Sequence, residues 1–449
     1  MKDRVDELRA IGVYLVCYII SFLFAHWEHY YLSGLVLMIA AVVLYLNDYF
    51  RSKNLIHLRG LFSLSWVGGQ ALACLKLSNL QESWMPKTWL CFALAFLGFW
   101  IVFEVLTNIY GSGHDAYGRW RSFSGNPKPI FHMICAISAA SLAAFVLEAV
   151  VLGYIPLQLR GVPHAYSEFH LTGVHYITVS CVLVPALSVL FFHMERGRWH
   201  DKALAAVIFM NLISLLIPIL CVSRFQFVFA VLLAVFTYIS LQKNFSPFYL
   251  VGAVAAAIPV YLILTVARSH NVDYLMGIFN MKWERMPVFI AQPYIYIANN
   301  YDNFNCMVGV FDDPVGLLGE KLSHSFGMKG LFPLWALTGL KFFFPQLVNY
   351  PNFIIKKELS TVTMFYNAFY DFGVFGVLIF SCLLGLAAYL LVVKLRELRN
   401  PLGYLLYAQI ALYLTLSFFT TWFSDTTTWF YLILTAITAI YYHINARRR

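Results

Sequence analysis

Apolar residues along this chain come in long, nearly uninterrupted runs, with polar residues confined to short stretches between them. A hydrocarbon layer about 30 Å thick needs about 20 apolar residues in a helix to cross it. Such runs predict about twelve spans. They cover approximately Ile11–Ala25, Leu32–Asn47, Leu61–Leu75, Thr88–Ile109, Ile130–Leu152, Gly173–His193, Ala203–Val222, Phe225–Leu241, Phe248–Ala267, Thr363–Val393, Leu402–Thr421 and Trp429–His443. The expected fold class is an all-α polytopic membrane protein, read as a single integral-membrane domain over residues 1–449. Tight turns join the first two spans, and the seventh to the eighth.

Lys and Arg positions orient these spans. One set of loops holds Lys2, Arg4, Arg9; Arg51, Lys53, Arg59; Arg119, Arg121, Lys128; Arg196, Arg198, Lys202; Lys243; Lys394, Arg396, Arg399; and Arg447 to Arg449. The opposite short loops hold only Lys76, Lys87, Arg160 and Arg224. The asymmetry predicts that both termini are cytoplasmic and that one long loop, Ser269 to Val362, lies outside. At about ninety residues that loop is far longer than an ordinary connection and reads as functional. Within it, Gly330–Phe344 is apolar, interrupted by Pro333 and edged by Lys329 and Lys341. Too short to span, it reads as an interfacial or re-entrant helix, and the loop as a lid.

Composition sharpens this. Hydrophobic residues make up 61% of the chain and charged residues only 12%, about half the usual charged share of a soluble protein. A soluble enzyme, a disordered chain and a secreted disulfide scaffold are excluded. The net charge of +9 sits in span-orienting clusters, so no nucleic-acid partner is expected. The eight cysteines form no CxxC pair, and His164, His170 and His175 are not spaced for one helical face, so no metal site is expected.

Two stretches carry candidate chemistry. In Val222-Ser223-Arg224-Phe225-Gln226 an arginine occupies an outer turn between two apolar runs. Its planar fork suits a phosphate; a snorkelling helix anchor is the competing reading. Arg268 closes the ninth span at the same level and Arg285 follows in the long loop, so three arginines could clamp a diphosphate. The second stretch runs from Ser360 to Gly376 and carries Asp371 into the apolar zone. An intramembrane carboxylate is either a functional group or a structural acceptor for neighbouring donors.

With its Ser-Arg turn, long outer loop and Thr363-x-Phe365-Tyr366-x-x-x-Tyr370-Asp371-Phe372-Gly373-x-x-Gly376 run, the chain resembles the oligosaccharide repeat-unit polymerases. These are the Wzy-type O-antigen and capsule polymerases, relatives of the O-antigen ligases. The Tyr294–Phe304 stretch also looks like this family. The resemblance implies an all-helical GT-C-like fold in the bacterial cytoplasmic membrane, with no metal or cofactor. It implies transfer of a growing glycan from undecaprenyl diphosphate to a sugar hydroxyl of another lipid-linked repeat unit. Lipid-linked oligosaccharide and membrane lipids are the implied partners, with a flippase and a chain-length regulator as pathway neighbours. Arg224 takes the place of the family's diphosphate-holding arginine; Arg268 and Arg285 support it, and Tyr366 and Tyr370 are further substrate-binding candidates.

One departure stands out. Ligases and some polymerases carry a His at the mouth of the equivalent span, where this chain has Thr361-Val362-Thr363. His324 is the alternative base, or an ordinary polar loop residue. His324, Asp371, Thr361 and Thr363 are thus the catalytic candidates. Trp283, Tyr294, Tyr296, Tyr301 and Trp335 offer flat faces for sugar rings, or belong to an interfacial aromatic belt. The rival functions are an O-antigen ligase and a flippase of lipid-linked glycans. Charged residues within the spans are few, Glu104, Glu148 and Asp371 being the main ones, which disfavours the flippase.

Overall fold

A computed structural model describes residues 2–111, 125–159, 165–195, 201–242, 272–313, 323–395 and 400–446. Its principal helices are α1 (Lys2–His26), α2 (Tyr30–Ser52), α3 (Leu58–Cys74), α4 (Pro86–Tyr110) and α5 (Lys128–Leu152). Next come α6 (Val174–Glu195, with one tighter turn at Ser180–Leu183), α7 (Asp201–Leu220) and α8 (Arg224–Leu241). The series ends with α9 (Val272–Phe279), α10 (Val288–Asp312), α11 (Phe332–Leu337), α12 (Tyr366–Leu395), α13 (Leu402–Thr415) and α14 (Thr426–Ala446). Among the described residues there is no strand, only an isolated bridge between Ser78 and Met281.

Eight of these helices are long and apolar enough to cross a membrane: α1, α2, α4, α5, α6, α7, α8 and α12. The protein is therefore a multi-pass membrane protein. The expected third and eleventh spans form the shorter helices α3, of 17 residues, and α13, of 14. The expected twelfth forms α14, long enough at 21 residues but diluted by Thr426, Thr427, Thr428, His443 and Asn445. The expected ninth span, Phe248–Ala267, lies outside the described residues, as do Arg119, Arg121, Arg160, His164, Arg196, Arg198, Lys243, Arg396, Arg399 and Arg447 to Arg449.

Contacts divide the chain into two compact units. The first comprises Met1–Tyr117, Val272–Val393 and Tyr413–Thr428, the second Gly118–Asn271, Lys394–Leu412 and Trp429–Arg449. In the first unit α3 packs against α2 and against α10. The join is aromatic: Trp66 of α3 meets Tyr301 of α10 at 5.3 Å between ring centroids and Phe365 at 4.7 Å. Tyr301 is fully buried and donates its hydroxyl to the Trp66 carbonyl at 2.8 Å. Arg59, expected only to orient a span, is likewise fully buried. It pairs with Asp48 and Glu104 and lies 4.3 Å from the Trp100 ring centroid. A buried guanidinium persists only with such compensation.

Among the described residues of the second unit the buried carboxylate is Glu148 of α5. It accepts from Leu171 N–H at 2.9 Å and Thr178 Oγ1 at 2.7 Å, and meets His175 Nδ1 at 3.1 Å. Serine pairs across helices, Ser138–Ser214 at 3.2 Å and Ser141–Ser180 at 3.1 Å, bring backbones close. These buried polar groups are answered by neighbours within the unit.

Candidate functional site

The site grows from an interruption. Helix α12 carries two non-helical residues, Phe372 (φ −140°, ψ 18°) and Gly373 (φ 61°, ψ −143°). A side chain at Gly373 would strain that left-handed backbone. Its Cβ would also lie 3.2 Å from His324 Nε2. Gly373 is therefore part of the break itself.

Just before the break, Asp371 is 3% exposed. Its carboxylate accepts from Ser325 Oγ, from Lys329 N–H at 3.1 Å and from Gly330 N–H at 2.8 Å. The turn answers: Ser325 N–H donates to the Tyr370 carbonyl at 3.3 Å, and Phe326 N–H to that of Asp371 at 3.2 Å. A Cβ on Gly330 would sit 2.7 Å from Asp371 Oδ2. The carboxylate thus clips residues 325–330 onto the mouth of α12. Of its two sequence readings, this geometry is that of a structural acceptor.

The clip delivers two groups suited to chemistry. His324 places Nδ1 3.1 Å from the Tyr370 carbonyl. A carbonyl only accepts, so Nδ1 carries a proton, and in the neutral ring Nε2 presents its lone pair beside Gly373. Phe311 stacks on the imidazole at 4.8 Å and 8°. Lys329 donates to Asn352 Oδ1 at 2.7 Å and the Pro351 carbonyl at 3.1 Å. Its ammonium lies 4.0 Å from the Tyr370 ring centroid, a cation–π arrangement. Burial pushes the Lys329 pKa down to about 8, with Asp371 opposing. A base and a cation thus share one loop at the mouth of a span.

The remaining candidates hold this arrangement. Tyr366 pairs twice with the Phe353 backbone, accepting N–H at 2.7 Å and donating to C=O at 2.9 Å. Tyr370 contributes its ring face, stacked on Phe353 at 5.9 Å. Thr361 Oγ1 donates to Asn300 Oδ1 at 2.6 Å. Thr363 is fully buried, and its hydroxyl makes no hydrogen bond among the described residues. Asn299 and Asn303 bind the Leu359 carbonyl at 2.9 and 2.8 Å, and Asn303 also that of Thr361. Of the tyrosines expected to offer rings to sugar, Tyr294 and Tyr301 are buried in α10 and Tyr296 is half-buried. Trp283 stays exposed, while Trp335 donates its indole N–H to the Met328 carbonyl.

The expected arginine clamp divides differently. Arg224 opens α8 in the second unit and is buried. It follows Val222 at φ +52°, a conformation uncommon for a β-branched residue. Ser223 N–H donates to the Pro218 carbonyl at 2.8 Å, closing the turn. Arg285 is exposed, in a turn of the first unit, and Arg268 lies outside the described residues. Sequence reasoning missed Lys329 as a site group, noting it only as the edge of an apolar run. The available signal was a cation five positions after His324, at the edge of the apolar Gly330–Phe344 run. Gly330–Phe344 forms two short helical pieces, α11 and Leu340–Phe343, with Leu334, Phe342 and Phe343 exposed.

No protein-family model, curated protein or solved structure matches the chain.

Proposed function

We propose that the protein is a membrane glycosyltransferase that polymerises undecaprenyl-diphosphate-linked oligosaccharide repeat units at the outer face of the bacterial cytoplasmic membrane, with both termini inside. The observation that carries this is the seating of His324 against the break in α12, with Nε2 facing Gly373 and Lys329 in the same loop. His324 accepts the proton of the attacking sugar hydroxyl as the new glycosidic bond forms. Lys329 stabilises negative charge near the acceptor. Fixed cations neutralise the departing lipid diphosphate, and they act most strongly in a water-poor site. The exposed apolar side chains of Gly330–Phe344 rest at the membrane surface.

The histidine also supports a second reading. Ligases and some polymerases carry a His at the mouth of the equivalent span, and here the loop brings one there from another part of the chain. Ligase and polymerase differ in acceptor. A deletion strain separates them by the length of the lipid-linked glycan. Single repeat units on the carrier or its acceptor, with loss of polymer, are expected. Long polymer retained on the carrier would overturn the polymerase reading and favour the ligase. Units trapped on the inner leaflet would favour a flippase.

A further inference from the structure

The second unit contains a cavity of about 590 Å³ that takes no part in the proposed chemistry. It lies at the ends of three spans. Lys128 is the first residue of α5, Lys202 stands in the first turn of α7, and Glu195 is the last residue of α6. His132 lines it one turn in, and Phe131 and Phe191 form an apolar wall. Span ends lie at headgroup depth, so the cavity presents charge at that level and hydrocarbon below it.

The three charges share an anomaly. A helix disfavours cations at its N-terminus and anions at its C-terminus. Both lysines and the glutamate stand at the wrong ends of their helices. None of the three forms an ion pair among the described residues, although all line one cavity. His132 Nδ1 lies 3.3 Å from the Tyr441 hydroxyl. A tendency of basic residues to mark one side of a membrane accounts for the lysines. It does not account for Glu195.

We infer that this cleft binds phosphatidylethanolamine, its phosphate between Lys128 and Lys202 and its primary ammonium on Glu195. That headgroup carries both signs of charge, and its ammonium has N–H donors for a carboxylate. Phosphatidylcholine has the phosphate without donors, and phosphatidylglycerol has no cation. The glycerol and upper acyl chain lie on Phe131 and Phe191. This site stands independently of the glycosyltransferase reading.

Native mass spectrometry of the purified, delipidated full-length protein tests the proposal, with the three lipids carrying identical chains. Phosphatidylethanolamine should bind about tenfold more tightly than either competitor, the gain of one charge-assisted hydrogen bond. Glu195→Gln should erase that preference, whereas Lys128→Gln combined with Lys202→Gln should weaken all three lipids. Ala203→Phe leaves every charge in place but fills the cleft, and should also weaken binding. Equal binding of the ethanolamine and choline lipids, or a preference for phosphatidylglycerol, would overturn the assignment. So would variants that bind like the parent, or displacement of the lipid by inorganic phosphate at the same concentration, which would mark a free-anion site.

Discussion

Two buried aspartates of the first unit answer the same physical problem in different ways. Asp302, 2% exposed, is held by side chains: Lys76 Nζ, Trp84 Nε1 and Gln81 Nε2 each donate to it at 2.6 Å. Asp371, 3% exposed, is held by one hydroxyl and two backbone N–H groups of a loop. The first is neutralised by a full opposite charge, itself 4% exposed and lying 4.2 Å from the Trp84 ring centroid. The second is solvated by peptide dipoles, and the nearby ammonium of Lys329 bonds to Asn352 instead. An ion pair of that kind welds helices together; a carboxylate capped by a turn positions the turn. Stability is concentrated at Asp302, and loop geometry at Asp371.

The largest expected effect breaks the weld. Asp302→Ala strands the Lys76 ammonium in the interior and should cost about 3–5 kcal/mol, read as early thermal unfolding and lost monodispersity in detergent. A variant as stable as the parent would show that the pair is not compensating the buried charge. At the other aspartate the damage should be catalytic and local. His324→Ala should lower turnover of lipid-linked oligosaccharide by about 10²–10⁴-fold with unfolding unchanged. If His324→Ala retained full turnover, the base would have to be another group.

Asp371→Asn sharpens the contrast. An amide has one accepting oxygen where the carboxylate uses two, so at least one loop donor loses its partner, at a cost of about 1–3 kcal/mol. Backbone hydrogen exchange should accelerate over residues 324–335 and stay slow across α10. Uniform exchange in both segments would contradict a purely local role. Gly373→Ala should cost a similar amount, about 1–3 kcal/mol, for a side chain in a backbone region that is nearly glycine-only. It also crowds His324, so turnover should fall further than stability does.

Much of the contrast was hidden in the sequence, for reasons that particular residues make plain. Apolar run length found α1, α2, α4 to α8 and α12, because a membrane helix needs nothing but length and composition. It could not reveal that Arg59 sits between Asp48 and Glu104, since the packing of three separate helices sets that pairing. The Tyr294–Phe304 stretch read as a loop because its asparagines and Asp302 dilute the apolar pattern. Those same residues are what a buried helix needs to hold other segments by their backbones. Asp371 was legible as a buried carboxylate, but its donors come from a loop some forty positions away and two of them are backbone N–H groups. His324 was legible as a candidate base, but its distance from the span in sequence concealed its place beside Gly373.

The smallest effect separates chemistry from stability by sign. Burial lowers the Lys329 pKa from 10.5 to about 8, partly opposed by Asp371. Below about pH 8 the folded protein holds the ammonium, at the cost of its burial. Between about pH 8 and 10.5 the folded side chain has lost its proton while the unfolded chain keeps it, so the unfolded state binds more protons. Stability from this group therefore rises with pH through that window. Turnover that uses the ammonium should move oppositely and fall as pH passes 8. Lys329→Arg keeps its charge throughout, so it should remove the alkaline limb of the pH–rate profile. Lys329→Met should abolish the rise in stability and lower turnover at every pH. Parallel pH–rate and pH–unfolding series on the three proteins would show this. An alkaline limb that survives unchanged in Lys329→Arg would belong to a different group, leaving Lys329 as a tether between the Asp371 turn and Asn352.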